Sequence, residues 1–450
     1  MLRLTWTQPE DLVPHALHAA RLDGIGVDDL ADRWTAAGGS LTPPVTGATR
    51  NPAPAALRGL ARDLLSRVDE REAPSSLLAA EPDDLAGILA LARPVTAVAP
   101  AENLADRVHG AWLGRAAGCL LGKPVEKIPR EGIRAIARST GNWPVSRYFT
   151  AIGLDEQVAA RYPWNRRSGP TSLAENIDVM PEDDDLNFPL IALDLLERHG
   201  DGFTTADVAR SWLANLPGGR VFTAERIAYR NLLDGHEPEI AGRIGNPFRD
   251  WIGAQIRTDV YGWTHPGDPV AAARLAWTDA RLTHGRNGLY GAMFAAAACA
   301  AAVVADSVTE VVDAGLSVVP PASRFTEAVT MGVALADVPV EDAFDRIHAR
   351  YGDLHWVHVL NNAATLGYAL ARGDGDYTAT ITTAVTGGWD TDSTGATAGS
   401  IAGAMTGAKK LPPAWVIPLR NRLASTVPGF DGIGFDTLAR RTLALVERSS

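Results

Sequence analysis

Hydrophobic residues recur at spacings of three and four along most of the chain beyond residue 100. This period places apolar side chains on one face of a helix. The predicted helices span 103–122, 186–199, 205–215, 269–282, 288–305, 308–316, 324–335, 340–349, 358–371, 394–408 and 437–448. Strand-like alternation is scarce, and residues 377–385 form the one ambiguous run. The pattern therefore predicts an all-α protein.

The first hundred residues have a different pattern. Breaks rich in proline, glycine and alanine, such as residues 38–57, separate short amphipathic stretches at 57–68 and 83–91. Such breaks are typical of loops between short helices. We predict an N-terminal helical accessory region over 1–100, with a boundary near Pro100, and a catalytic domain over 101–450. The sequence leaves open whether this region is a lid, a docking surface or packing support.

One segment, residues 289–305, is wholly apolar and nearly long enough to cross a membrane. It consists mostly of alanine, which is weakly hydrophobic and strongly helix-forming. We therefore predict a buried helix, with no membrane partner. The N-terminus lacks the basic start and apolar run of a signal peptide, so we expect a cytoplasmic protein.

Composition and charge exclude several classes of function. Hydrophobic residues make up 46% and charged residues 21% of the chain, as in ordinary globular proteins. The 53 acidic residues exceed the 42 basic ones, which argues against nonspecific binding to nucleic acid. The chain has only two cysteines, Cys119 and Cys299, both in apolar surroundings. A disulfide scaffold and a cysteine-based zinc finger are therefore excluded.

Glycines spaced four residues apart mark two of the predicted helices. Each interior glycine costs about 1 kcal/mol relative to alanine, which makes sense where two backbones approach closely. The two sets are Gly110, Gly114, Gly118 and Gly122, and Gly395, Gly399 and Gly403. We predict that these helices pack tightly and present their ends to a shared site.

An acidic cluster follows Pro181 and consists of Glu182, Asp183, Asp184 and Asp185. Consecutive carboxylates repel one another unless something compensates their charge. One interpretation is an acidic helix start, because carboxylates favour the positive end of the helix dipole. The other is a metal-binding loop.

A second acidic cluster contains Asp390 and Asp392 and follows a glycine pair. On a regular helix, side chains two residues apart point away from each other. The glycines allow an irregular backbone on which the carboxylates converge, with Ser393 or Thr394 at the start of the next helix. Two carboxylates and a hydroxyl suit Mg²⁺ or Mn²⁺. The alternative is an ordinary capped loop.

Taken together, the two acidic clusters predict a larger metal site than either would alone. If the loops meet in space, their combined negative charge calls for divalent cations. Several carboxylates and a hydroxyl suit two bridged metal ions, an arrangement that activates water.

Three segments of the chain resemble the ADP-ribosylglycohydrolase family, which includes the dinitrogenase-reductase-activating glycohydrolases. Residues 107–126 resemble its opening helix, a glycine-stepped run that ends in Gly-x-Pro-x-Glu. Residues 182–185 resemble its Thr-Asp-Asp-Thr loop, and residues 388–393 resemble its Gly-Asp-Thr-Asp-Thr loop. Thr283-His284 is similar to a Thr/Ser-His motif of its substrate cleft. The order of these motifs agrees from about residue 105 to 410.

The resemblance implies an all-α orthogonal helical bundle with two Mg²⁺ ions, or Mn²⁺ in their place. It implies hydrolysis of an N- or O-glycosidic bond at the C1″ carbon of an ADP-ribosyl group. The metal ligands carried over by position are Asp183, Asp184, Asp390, Asp392 and Ser393, with Glu182 in place of a threonine ligand. Asp185 also replaces a threonine of the family motif, and Cys119 replaces an aspartate.

Candidate catalytic groups follow from the chemistry of the reaction. Hydrolysis at an anomeric carbon passes through an oxocarbenium-like state, and a carboxylate held off the metal can accept the proton of water. Glu126, which matches a glutamate beside the metal site of the family, and Asp392 are the candidates. The predicted substrate-binding residues are His284, Asn287, Gly288, His358, Asn362 and Gly388. For His284, His358 and Asn362 the alternative is a packing role.

The sequence thus predicts a metal-dependent hydrolase of an ADP-ribosylated protein or a small ADP-ribosyl compound. One alternative is the same chemistry on another ribosyl compound, such as a nucleoside-like metabolite. Another is a noncatalytic metal-binding protein used for recognition.

Overall fold

The computed structural model describes residues 3–93, 95–97, 103–165 and 168–449. These residues form α-helices joined by loops, with isolated β-bridges and no strand. The α-helices of this part of the chain are α1 Pro9–Leu22, α2 Asp28–Ala36, α3 Ala55–Asp69, α4 Ser75–Ala80, α5 Leu85–Leu91, α6 Leu104–Gly122, α7 Arg130–Ser139, α8 Glu156–Arg161, α9 Gly169–Ser172, α10 Asp184–His199, α11 Thr205–Asn215, α12 Thr223–Leu233, α13 Pro238–Ala241, α14 Asp259–Trp263, α15 Pro269–Ala280, α16 Arg286–Ala302, α17 Val308–Leu316, α18 Arg324–Val333, α19 Val340–Tyr351, α20 Val359–Gly373, α21 Tyr377–Thr386, α22 Thr391–Thr406, α23 Pro413–Val416 and α24 Phe435–Ser449. Short 3₁₀ helices span Lys123–Val125, Gly200–Gly202, Gly218–Arg220, Ile252–Arg257 and Ile417–Leu419.

The all-α prediction is confirmed, and the predicted helices lie within a few residues of the observed ones. The ambiguous run at 377–385 forms the helix α21. Its threonines are accommodated because their hydroxyls bond carbonyls one turn back, as Thr382 Oγ1 does to the Thr378 carbonyl at 2.8 Å. Among the helices of ten or more residues, the sequence prediction left out α1, α7 and α12.

Helices α6 and α22 pack antiparallel at the centre of the fold. A Cβ added to Gly114 would overlap the carbonyl oxygen of Gly399, and one added to Gly118 would overlap that of Gly395. Only glycine permits this approach. At one end, Thr391 Oγ1 donates a 2.9 Å hydrogen bond to the Gly122 carbonyl, so the C-terminus of α6 meets the N-terminus of α22. The predicted tight packing is therefore observed.

The alanine-rich helix α16 is buried along its whole length, as predicted. Among the described residues, no helix has both the length and the apolar character that a membrane crossing requires. The helix lies against several neighbours in the core, including α14, α15 and α17.

The N-terminal helices α1 to α5 pack in two ways. A small hydrophobic cluster of their own includes Leu17, Leu30, Trp34 and Leu64. Trp6, Leu12 and Ile88 instead belong to the main core. The predicted boundary at Pro100 lies outside the described residues.

Candidate functional site

The first acidic loop leads into α10. Asp183 is the N-cap residue, and its carboxylate accepts a 2.9 Å hydrogen bond from the Asp185 amide. Two backbone bonds fix the start of the loop, from Met180 N to the Arg422 carbonyl at 3.0 Å and from Ala424 N to the Met180 carbonyl at 2.9 Å. The carboxylates of Asp183, Asp184 and Asp185 thus lie at the N-terminus of α10, which favours negative charge.

The second acidic loop leads into α22 through a tight turn. Gly388 has φ +79° and Trp389 has φ +64°, a backbone conformation that residues other than glycine rarely adopt. The Trp389 ring stacks on His348 with centroids 3.8 Å apart, and His348 Nε2 lies 2.9 Å from the Gly387 carbonyl oxygen. These contacts hold the strained turn, which brings Asp390 and Asp392 into one site.

The side chain of Asn362 hydrogen-bonds to the second acidic loop. Its Oδ1 accepts hydrogen bonds from the Asp390 amide at 3.3 Å and from Thr394 Oγ1 at 3.1 Å. Its Nδ2 donates to the carbonyls of Trp356 at 2.9 Å and His358 at 2.8 Å. The buried side-chain amide of Asn362 therefore connects the start of α22 to the backbone of residues 356 and 358.

The two acidic loops meet. Ser393 Oγ of the second loop lies 3.4 Å from Asp185 Oδ2 of the first. The Cys119 thiol, from the glycine-stepped helix α6, lies 3.8 Å from the same oxygen. Cys119, Asp183 and Asp185 each offer a ligand atom within 4.8 Å of the others, and so do Glu126, Asp390 and Asp392. Three separate parts of the chain thus converge on one oxygen-rich pocket.

Burial and mutual repulsion dominate the electrostatics of the second loop. Burial, then Glu126 and Asp183, raise the pKa of Asp392 to about 7. Burial, then Asp392 and Glu126, raise the pKa of Asp390 well above its usual value. A nearby cation would reverse this effect, because it favours the charged form of a carboxylate.

The first loop shows the same excess of negative charge. Burial, followed by Asp183 and Asp392, raises the pKa of Asp184 and of Asp185 well above the ordinary range. Asp185 Oδ1 is buried and has no hydrogen-bond partner in the described part of the chain, although the Arg115 guanidinium lies 3.8 Å away. A buried oxygen without a partner is costly, and a divalent cation would satisfy it.

Two lysines neutralise part of this charge. Lys123 Nζ contacts the Asp183 carboxylate and donates to the Glu182 carbonyl at 3.2 Å. Although burial opposes ionisation, the Lys123 charge lowers the pKa of Asp183. Lys127 Nζ lies 2.9 Å from Glu126 Oε1. Apart from the Cys119 thiol, the donor set that remains is carboxylate and hydroxyl oxygen, which fits Mg²⁺ or Mn²⁺.

A family model described as ADP-ribosylglycohydrolase matches residues 100–449. The chain belongs to the ADP-ribosylglycohydrolase family. Members of this family are glycohydrolases that act on ADP-ribosylated substrates. No curated protein matches the sequence significantly. A solved structure named "ADP-ribosylglycohydrolase-related protein complex" is similar at 21% identity over 78% of this chain and 100% of that chain, with a TM-score of 0.44.

In this member of the family, the Glu182 carboxylate contacts Asn187, Thr426 and Arg220. Its Oε1 accepts from Asn187 Nδ2 at 3.1 Å and Thr426 Oγ1 at 2.9 Å. Its Oε2 pairs with Arg220 at 2.6 Å. Both carboxylate oxygens of Glu182 therefore already have protein partners.

Three predicted substrate-binding residues lie together at the start of α16. The His284 side chain is fully buried, and its Nδ1 lies 2.6 Å from Thr283 Oγ1. The Asn287 amide donates to Asp250 Oδ1 at 3.0 Å, and its Nδ2 donates to Glu81 at 3.0 Å. A Cβ on Gly288 would overlap the Arg249 carbonyl. Carboxylates of the protein thus occupy this helix start, where we predicted substrate binding.

Besides Asn362, two further predicted substrate-binding residues lie elsewhere. His358 caps α20, where its Nδ1 accepts a 3.2 Å hydrogen bond from the Leu360 amide, and it lines a cavity beside Trp356. Gly388 lies in the second acidic loop against the backbone of Arg130, 3.5 Å from where its Cβ would be. Of the predicted substrate-binding residues, Gly388 and Asn362 thus adjoin the acidic pocket.

Sequence reasoning missed two members of the site in this glycohydrolase. Asp185 was noted as a departure from the family motif, and the structure makes it the contact between the loops. Lys123 was not singled out, although it lies one helical turn after Cys119 and close to the acidic run. Lys123 could have been found from its position at the end of the glycine-stepped helix, one turn after Cys119.

Proposed function

We propose that this protein is a divalent-metal-dependent hydrolase that cleaves an N- or O-glycosidic bond at the anomeric carbon of an ADP-ribosyl group. The observation that carries the proposal is the contact between Ser393 and Asp185, which joins the two acidic loops of a family member. A capped helix start alone does not require two remote acidic segments to share one pocket.

The residues that would hold the metal come from both loops. They are Asp183, Asp184, Asp390, Asp392 and Ser393, to which the contacts add Asp185. Glu182 belongs to the same predicted set, although its oxygens have other partners. When bound, a pair of Mg²⁺ or Mn²⁺ ions supplies Lewis acidity that orients the ribose hydroxyls and lowers the pKa of a water molecule.

The chain's own residues have two further roles. Positive charge develops at the anomeric carbon, and the fixed carboxylates of the loops stabilise it electrostatically. Glu126 is the first candidate for accepting the proton of water, because it borders an opening of about 280 Å³ between Lys127 and Tyr162. Asp392 is the alternative, because its carboxylate lies in the same cluster as those of Glu126 and Asp390.

A release assay tests the proposal. The substrates are peptides ADP-ribosylated on arginine or serine, small ADP-ribosyl conjugates and nucleosides, each with and without Mg²⁺. We expect Mg²⁺-dependent release of ADP-ribose from at least one conjugate. Release only from nucleosides would indicate another ribosyl compound as substrate. Metal binding without release from any compound would contradict turnover and favour a recognition role.

A further inference from the structure

Lys123, the residue after Gly122, lies between the two acidic loops at the end of α6. It begins a short 3₁₀ helix. A Cβ added to Gly122 would overlap the Thr391 carbonyl, so the backbone just before Lys123 lies against the start of α22. The Lys123 side chain reaches the first loop, where Nζ contacts the Asp183 carboxylate and donates to the Glu182 carbonyl at 3.2 Å. One ammonium group is thus fixed inside the acidic pocket.

The ion pair between Lys123 and Asp183 is buried. The exposed fraction of the side chain is 9% for Lys123 and 7% for Asp183. The other carboxylate oxygen of Asp183 accepts the 2.9 Å hydrogen bond from the Asp185 amide, so both oxygens have protein partners. Removing one partner of a buried ion pair leaves an uncompensated charge, which is strongly unfavourable. A metal ion that binds Asp183 must therefore compete with the Lys123 ammonium.

Arg115 brings a second positive charge to the first loop. Its guanidinium is fully buried, pairs with Asp259 at 2.6 Å and lies 3.8 Å from Asp185 Oδ1. Its Nε donates to the Asp185 carbonyl at 2.8 Å. Asp183 and Asp185 thus each lie beside a cation of the protein itself.

Three other carboxylates of the pocket lack such a partner. Asp184, Asp390 and Asp392 form no ion pair with any residue that the structure describes. The nearby Lys127 pairs with Glu126 at 2.9 Å, so its charge is shared with a further carboxylate. The least compensated negative charge of the pocket therefore belongs to one carboxylate of the first loop and two of the second.

We infer that Lys123 is a built-in counterion that makes the two metal positions of the pocket unequal. One divalent ion binds tightly, held by Asp184, Asp390 and Asp392, because these carboxylates have no cation of their own. The second ion binds more weakly, because it competes with the Lys123 ammonium for Asp183. This inference rests on the proposed function, in which the pocket holds a pair of ions, and it adds the order in which they bind.

Removal of the Lys123 charge tests the inference by metal binding alone. Lys123→Met keeps a side chain of similar length, and Lys409→Met removes an exposed lysine beyond the far end of α22 as the matched control. Each full-length protein is titrated calorimetrically with Mn²⁺. For the wild type and Lys409→Met we expect two ions whose Kd values differ at least about 100-fold. In Lys123→Met we expect the second ion to bind at least about tenfold tighter, so that the difference narrows.

The outcomes separate this inference from the proposed function. A second ion that is detected only in Lys123→Met would support the inference. Equal affinity of the two ions in the wild type, or an unchanged second affinity in Lys123→Met, would overturn the inference alone. Absence of Mn²⁺ binding to the wild type and to both variants would contradict the proposed function and the inference with it.

A double variant keeps the test decisive if Lys123→Met fails to fold, since that substitution leaves Asp183 buried without its partner. Lys123→Met combined with Asp183→Asn replaces the ion pair by two neutral side chains of similar size. We expect this protein to bind one Mn²⁺ with the affinity of the tight ion in the wild type. Loss of the tight ion, or two ions with wild-type affinities, would overturn the inference.

Discussion

Ser393 Oγ and Asp185 Oδ2 lie 3.4 Å apart, although 208 positions separate the two residues in the chain. Asp185 Oδ1, the other oxygen of that carboxylate, is buried and without a hydrogen bond in the described residues. One oxygen of Asp185 thus joins the loops, and the other lies 3.8 Å from the buried Arg115 guanidinium without hydrogen-bonding to it.

The first prediction concerns this carboxylate. Asp185→Asn keeps the shape of the side chain and removes its charge, so we expect Mn²⁺ affinity to fall about 10- to 100-fold, as for groups that support a metal site. Asp194→Asn, which removes a surface partner of Arg198 on the same helix, serves as the control and should leave Mn²⁺ affinity unchanged. Calorimetric titration measures both, and wild-type affinity in Asp185→Asn would contradict the assignment.

The second prediction concerns Asp392. Asp392→Asn should reduce kcat by at least about 100-fold, because it removes a charge placed at the reaction centre. The metal-free variant should melt at the wild-type temperature or above, since the substitution relieves repulsion from Glu126 and Asp183. Kinetics and thermal melting check the two parts separately. Retained activity would show that Asp392 lies outside the reaction centre.

The third prediction is a pH dependence of the metal-free protein. The pKa of Asp392 is about 7 in the folded state, above its usual value, so the folded protein binds this proton more tightly than the unfolded chain does. The contribution to the free energy of unfolding is therefore present below about pH 4 and is lost as pH rises to about 7. In EDTA we expect a lower melting temperature at pH 7.5 than at pH 5, with a smaller difference in Asp392→Asn. An identical pH dependence in the two proteins would contradict this.

The fourth prediction tests the close packing of α6 and α22. Gly118→Ala places a methyl group on the Gly395 carbonyl, so we expect a loss of at least about 3 kcal/mol in the free energy of unfolding. Gly59→Ala in α3 meets no atom within 4 Å and should instead stabilise the protein by about 0.5–1 kcal/mol. Urea unfolding compares the two variants. Similar values would mean that the helices are not in close contact.

The fifth prediction tests how firmly the N-terminal region is held. Glu81 accepts hydrogen bonds from the backbone and guanidinium of Arg324 and from Asn287 Nδ2. Glu81→Ala leaves these buried donors unpaired and should cost about 3 kcal/mol in urea unfolding. Glu70→Ala, at an exposed position, should have little effect. Equal stability of both variants would contradict a firmly held N-terminal region.

The sequence was sufficient where the signal was local or periodic. The hydrophobic period located α10, α16 and α22, and the glycine spacing identified the helix pair that brings the acidic loops together. The carboxylates were found because they are adjacent in sequence.

Roles that depend on distant contacts could not be predicted. Asn362 was expected to line the cleft, but its amide bonds the Asp390 loop, a contact between residues 28 positions apart. The packing of the N-terminal region on the rest of the protein depends on pairs such as Glu81 and Arg324, which are 243 positions apart and follow no period. Such pairing is decided by tertiary packing, which a single sequence does not reveal.

Release of ADP-ribose from ADP-ribosyl-arginine, measured after chelation and again after Mg²⁺ is restored, tests whether both loops build one metal site. It is measured on the wild type and on two variants, Asp184→Asn of the first loop and Asp390→Asn of the second. We expect Mg²⁺ to restore turnover in the wild type and in neither variant. Turnover that survives chelation, or a wild-type rate in either variant, would contradict a single metal site built from both loops.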